Sequence, residues 1–502
     1  MATKDKSHGK GSGPAEQAGG RGRTPKVTLA DVVRYLLGIP SPNERLEIKI
    51  APLAGDEDKT ATKALAQVFA GIKVLPARIL ARPFPAEGAP PTPLQFSLIA
   101  PLARQALAAE KGDVLVFGEK IGAMLHLRFV SLLAAEEDAP DALSGGFPLA
   151  VPIESPAAID GDAAALIRLM VLVVAAPAMP SKATMARDAL PGALEGAIGA
   201  LETLRHALKG RDRGLTLLVF ASAAARAGYA HAASPVFGPT LQRAIDAYRA
   251  AIEALAREKG SYEWATAQRL LGSELLALAD RDGDKATLDA AAVALQAAAG
   301  ALPRDAAPRD WGATQHRLGL AFLRRHGDTA EVEPLKQALT FLQAAAHVYT
   351  RAEHPQRWAD IMNSVGQAGQ LLGQILPSAD IIERAIAACC QALEIRKRET
   401  YPVFWAATQN TLGSALFALG RMTGSIVALA EAEEAFDGAR LVYLERGMDK
   451  MAIVAERNLT RVRQLLPASQ AKDANAPKSW YEIEDEEEWK RMKGEGGKEK
   501  PG

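Results

Sequence analysis

Trp264, Trp311, Trp358 and Trp405 stand at intervals of 47 residues, and this spacing constrains the fold more than any other feature of the chain. Each opens a similar segment: WATAQRLLGSELLAL, WGATQHRLGLAFLRR, WADIMNSVGQAGQLL and WAATQNTLGSALFAL. A period of this length marks an array of supersecondary units. One unit cannot bury its apolar face alone, so stacking has to supply the core. One interval further on, at Ala452, the tryptophan is gone but Leu459 keeps the register of Leu412, as expected of a terminal cap helix. A second helix in each unit is marked by Leu288, Leu335, Ile382 and Leu429, by Ala291, Ala338, Ala385 and Ala432, and by Ala298, Ala345, Ala392 and Ala439. The register also runs backwards, through Leu241 and Ala244 to Leu194 and Ala197, which predicts roughly five or six helix pairs between about 165 and 467.

Gly272, Gly319, Gly366 and Gly413 recur inside the first helices. Glycine there costs about 1 kcal/mol relative to alanine. A repeated cost needs a repeated compensation, and close approach of the second helix at its Ala291-type position supplies one. Leu271-Gly272, then Ala291, Leu295, Ala298 and Pro303, resemble the marks of the tetratricopeptide repeat. The unit here is longer than that family's, and Thr350, Lys397 and Leu444 stand where Pro303 does. The resemblance implies a solenoid that grips a peptide or helix of a protein partner on the inner face of its first helices. Projected onto this sequence, that face carries Arg269, His316, Asn363 and Asn410, with Ser273, Leu320, Gln367 and Ser414 one turn later. The row is polar and suits an extended backbone or a polar helix. The tryptophans are expected to pack between units, since large aromatics dominate packing.

Before the array the periodicity changes. RLEIKIAPL (45–53), KVLPARIL (73–80), DVLVFGEKI and MLHLRFVSLL read as strands, the last two joined by a tight Gly-Ala connection, and FPLAVPI (147–153) adds another. Helices near 60–72 and 94–111 alternate with them, predicting a sheet with helices on one side. The fold class is therefore an α+β N-terminal domain (27–158) followed by an all-α helical-repeat solenoid. A connector or degenerate first repeat (159–216) leads into units starting near 217, 264, 311, 358 and 405 and a cap helix from 452, the array ending at 467. IKIAPLAGDEDKTATKALAQVFAGI followed by GDVLVFGEKIGAMLHLRFV resembles the small N-terminal domain of TolB and related bacterial proteins.

Residues 1–26 are Gly-rich and weakly basic, a composition that does not offset the entropy of ordering. Residues 468–502 combine Trp480, Tyr481 and Trp489 with an acidic run from Glu482 to Glu488. Aromatics interleaved with carboxylates suit a docking peptide, with this array's own groove as one target.

Lys+Arg and Asp+Glu both number 59, so no global field recruits nucleic acid. The apolar run Ala163 to Ala176 is too short to span a membrane and carries Arg168, so it reads as a buried helix. Two adjacent cysteines, Cys389 and Cys390, point to a reducing compartment, and no secretory signal opens the chain, so we expect a cytoplasmic protein. No phosphate-loop motif, HExxH or zinc-ligand cysteine pair occurs, and Asp280 to Asp284 reads as a turn rather than a calcium loop. No cofactor, metal or catalysis is expected. The alternative is a small-ligand or nucleotide sensor in the N-terminal domain, with Asp56, Glu57 and Glu119 as its polar groups.

Overall fold

The computed structural model describes residues 45–85, 92–132, 146–155, 157–176, 180–230, 237–327 and 331–466. Residues 1–26 and 468–502, with Trp480, Tyr481 and Trp489, lie outside the described residues. The N-terminal sheet has five strands: β1 (Ile48–Ile50), β2 (Ala77–Ile79), β3 (Val114–Ile121), β4 (Met124–Ser131) and β5 (Leu149–Pro152). They lie in the order β2-β1-β3-β4-β5; β1 is parallel to β2 and β3, whereas β3, β4 and β5 pair antiparallel. The β3–β4 hairpin turns at Gly122, whose φ of 59° is open to glycine at little cost.

The helices do not keep to one side of this sheet. Helix α1 (Thr60–Gln67) sends Ala61 and Leu65 onto the face of Ile48, Ile50, Val114 and Val116, whereas α2 (Phe96–Ala109) packs Phe96, Ala103 and Leu107 on the opposite face with Leu115, Phe117 and Val130. The reason lies in β3, where Val114 to Phe117 are apolar at both parities, so both faces need covering.

From residue 161 the described chain is helical. Helices α3 (Gly161–Ala175), α4 (Pro180–Leu204), α5 (Gly210–Ala230), α6 (Phe237–Ala254), α7 (Tyr262–Asp282), α8 (Lys285–Ala301), α9 (Pro308–His326), α10 (Glu333–Ala346), α11 (Pro355–Ile375), α12 (Ala379–Ile395), α13 (Pro402–Thr423) and α14 (Ile426–Glu445) pack as successive pairs, and α15 (Asp449–Arg463) closes the row. No helix among the described residues is long and apolar enough to cross a membrane. The apolar run falls in α3, buried against the sheet, and its Arg168 donates to the Val68 carbonyl just past the end of α1. One hydrophobic core runs without a break from the sheet into the helix pairs, from Leu46 to Leu372. Thr216 of α5 adds a hydrogen bond to the Ala150 carbonyl of β5 at 2.6 Å.

Three first helices start alike. Pro308, Pro355 and Pro402 hold the first helical position, where a missing N–H costs nothing. The residues before them, Ala307, His354 and Tyr401, share φ of −134°, −135° and −133°, away from the helical region that the proline ring disfavours. The glycine column meets the second helices as expected. A Cβ at Gly272 would lie 2.6 Å from Leu295 Cγ and 3.1 Å from the Ala291 carbonyl oxygen; at Gly319 it would lie 2.7 Å from Leu342 Cγ and 3.3 Å from the Ala338 carbonyl oxygen. At Gly366 and Gly413 the same place is filled by Cys389 and Phe436. Leu295, Leu342, Cys389 and Phe436 are themselves one 47-residue column, so Cys389 is a core residue; burial pushes its thiol well above the usual range.

Candidate binding face

Two positions of the repeat meet where neighbouring first helices lie side by side. One is the residue five after each tryptophan: Arg269, His316, Asn363 and Asn410. The other is the residue just before it: Glu263, Asp310, Arg357 and Phe404, with Met451 in the same register on α15. Arg269 shows how they meet, because its guanidinium pairs with Asp310 of the next unit at 3.2 Å. Asp310 also accepts from the Tyr262 hydroxyl at 2.6 Å.

Toward the sheet this seam is closed. Glu263 is buried and takes a hydrogen bond from Arg211, Tyr229 donates to Glu274, and His126 of β4 bonds Asp212 of α5 at 2.8 Å. Phe147, just before β5, stacks on Tyr262 with ring centroids 5.5 Å apart. Arg269 and Ser273 are buried, and the Ser273 hydroxyl turns back to the Arg269 carbonyl. These two therefore lie inside the contact between units rather than on an open surface. His316 is buried too, and its Nε2 has no partner. Burial first, then the charges of Arg317, Arg357 and Arg396, pushes its imidazole down to about 3, so the ring is neutral.

Toward the C-terminus the same register opens. Asn363, Gln367, Asn410 and Ser414 are half-buried, as is Leu320 at the changeover, while Phe404 is 52% and Met451 50% exposed. The side-chain oxygens of Asn363 and Asn410 are out of solvent and accept no hydrogen bond. At the changeover Arg396, 3% exposed, stands where the other units have Leu302, Tyr349 and Tyr443. Its buried charge is met by Asp360 and by the Thr408 hydroxyl, and its guanidinium lies 5.2 Å from the Phe404 ring. Burial lowers its basicity, and the Asp360 charge opposes that.

The tryptophans stay in packing positions. Trp264 is buried with Leu255, Ala298 and Leu302. Trp311, Trp358 and Trp405 are half-buried, and each carries a guanidinium over its ring, from Arg304 (4.8 Å), Arg351 (5.7 Å) and Arg398 (5.6 Å). With Arg257 these arginines precede each tryptophan by seven residues, a periodic signal in the sequence that points to cation-π packing at the unit junctions. Phe404, Met451 and Arg396 were likewise missed by sequence reasoning. Each shows only when a column is followed for departures in residue type rather than for identity.

The other expected polar groups are engaged locally. Asp56 caps α1, accepting from the Ala61 and Thr62 amides and the Thr62 hydroxyl, and Glu119 pairs with Arg128 at 3.8 Å. Glu57 is exposed. In the Asp280–Asp284 turn, Gly283 ends α7 and Asp284 caps α8. No cluster suited to a metal ion occurs among the described residues. No family model matches the chain, and no curated protein matches it.

Proposed function

We propose that the chain is a non-enzymatic protein-interaction scaffold, tetratricopeptide-like in its use of first helices, whose binding face is the open C-terminal part of the row. The observation that carries this reading is the open stretch of one register on successive first helices, where half-buried Asn363, Gln367, Asn410 and Ser414 accompany the exposed Phe404 and Met451. A row of polar groups of this kind suits a partner that brings hydrogen-bond donors and acceptors of its own. Backbone N–H groups of an extended peptide, or polar side chains along a helix, are such donors. Phe404 and Met451 lie in the neighbouring column and offer apolar anchor points beside Asn363 and Asn410.

The test is a random peptide display panned against the full chain. Peptides that are retained should bind at least about tenfold more weakly to the Asn363→Ala/Asn410→Ala variant and to Phe404→Ala, the loss expected of one or two hot-spot contacts. They should bind unchanged to Arg384→Glu, on the exposed side of α12. Retention that is indifferent to Asn363, Asn410 and Phe404 sinks the proposal.

A further inference from the structure

Helix α15 keeps the register of a first helix, but no second helix follows it among the described residues. Its internal side is buried through Ala452, Ala455, Leu459 and Val462. The side that a second helix covers in every other unit is open. Ile453, 60% exposed, stands where Ala265, Gly312, Ala359 and Ala406 are buried, and these pack against the ends of their own second helices, Gly312 against Val348 and Tyr349 and Ala406 beside Ala439 and Val442. Thr460 replaces the column glycine and is exposed. From this side, marked by Ile453 and Thr460, exposed residues continue at helical spacing through Val454, Arg457, Arg461 and Leu465 toward the columns of Asn410 and Ser414, one stripe that is part apolar and part basic. Arg457 and Arg461 form no ion pair with any described residue, and Lys450 and Arg446 extend the positive charge at the start of the helix.

We propose that this stripe is the docking surface for the chain's own segment 480–489, WYEIEDEEEW. Its composition is complementary: Trp480, Tyr481, Ile483 and Trp489 supply apolar groups for Ile453, Val454 and Leu465, and the run Glu482 to Glu488 supplies carboxylates for Arg457 and Arg461. The reach is sufficient. The described chain ends at Leu466, and the 13 residues from 467 to 479 can extend roughly 43–47 Å, whereas the 15 residues of α15 rise about 22 Å. A tether this short holds the segment at an effective concentration of order millimolar, which favours the chain's own stripe over that of a second copy. The segment serves the last unit as its missing second layer, covering apolar surface that would otherwise be open to end-to-end association. The stripe borders the end of the row at Asn363 and Asn410, because Arg457 and Arg461 continue the columns of Asn410 and Ser414, but the inference rests on groups of α15 alone.

The experiment uses the full chain carrying photoreactive benzoylphenylalanine at position 481, irradiated at low concentration, with the crosslinked peptides mapped by mass spectrometry. The expected product is intramolecular, joining position 481 to residues 450–465. Its yield should fall about fivefold in the exposed double variant Arg457→Glu/Arg461→Glu, as expected when two surface ion pairs become repulsions. Crosslinks to Asn363, Phe404 or Asn410 instead would place the segment in the row and overturn the proposal. So would a crosslinked dimer, which would make a second copy the occupant, and so would a yield indifferent to the charge reversal.

Discussion

Asp310 and Phe404 occupy the same position of two units, yet one is bonded to Arg269 and Tyr262 in a closed seam and the other stands half in solvent. The repeat fixes where a side chain sits, and the neighbouring column fixes whether it is available to a partner. Where the columns oppose as arginine and aspartate they satisfy each other. At Asn363 and Phe404 no such pair forms: the amide oxygen accepts no hydrogen bond, and the ring lies against the Arg396 guanidinium. Replacing Asp310 and Phe404 each by alanine tests this most directly. Asp310→Ala strands the buried guanidinium of Arg269 and should cost about 3 kcal/mol. Phe404→Ala removes a half-exposed ring and its contact with Arg396 and should cost no more than about 1 kcal/mol. The double variant Arg269→Met/Asp310→Leu should recover most of the loss, because apolar replacement of a buried pair is often neutral. Urea unfolding midpoints read all three; equal costs for Asp310→Ala and Phe404→Ala would remove the distinction between the two halves.

The glycine column offers a second contrast, between units with a second helix and the cap, which none follows among the described residues. At Gly319 an added methyl would press on Leu342 Cγ at 2.7 Å and on the Ala338 carbonyl. Gly319→Ala should therefore destabilise by about 2 kcal/mol despite alanine's better helix propensity. At the same register in α15, the exposed Thr460 meets no second helix among the described residues, so Thr460→Ala should be neutral or slightly stabilising by thermal melting. A stabilising Gly319→Ala would show that the helices are not in the close approach described.

The array was legible in the sequence because its signal is repeated: the tryptophans, glycines and alanines each recur in register, and each repetition reports the same packing. All five strands were legible too, though β1 and β2 came out shorter than read, at Ile48–Ile50 and Ala77–Ile79. The two-sided covering of the sheet was not read, although the unbroken apolar stretch Val114 to Phe117 in β3 was the available signal. The state of the row was not legible either. A polar column looks alike whether its members are paired or open, and Arg269 differs from Asn410 only through what stands opposite, 41 residues on. Arg396 was hidden for a similar reason, since one arginine in a column of leucine and tyrosine is visible only against the aspartate that meets it.

His316 stands at the boundary between the two halves and gives the smallest effect. The sequence itself supplies the variant, because the next two units carry asparagine at this position. In the folded chain the imidazole is held neutral down to about pH 3, while in the unfolded chain it protonates near 6.5. Above pH 6.5 neither state carries the proton, and the residue adds no pH dependence. Below 6.5 the unfolded state binds a proton that the folded state does not, so stability falls by about 1.4 kcal/mol per pH unit until the folded ring protonates. The groups facing it are the guanidinium groups of Arg317, Arg357 and Arg396, and Asp360, shared by Arg357 and Arg396, is the carboxylate of the cluster. Between pH 7.5 and 5.5 the wild-type chain should therefore lose about 1.4 kcal/mol more unfolding free energy than His316→Asn. If both lose the same amount, the ring is reached by water or a partner, and the closed half of the seam ends one unit earlier, at Arg269 and Asp310.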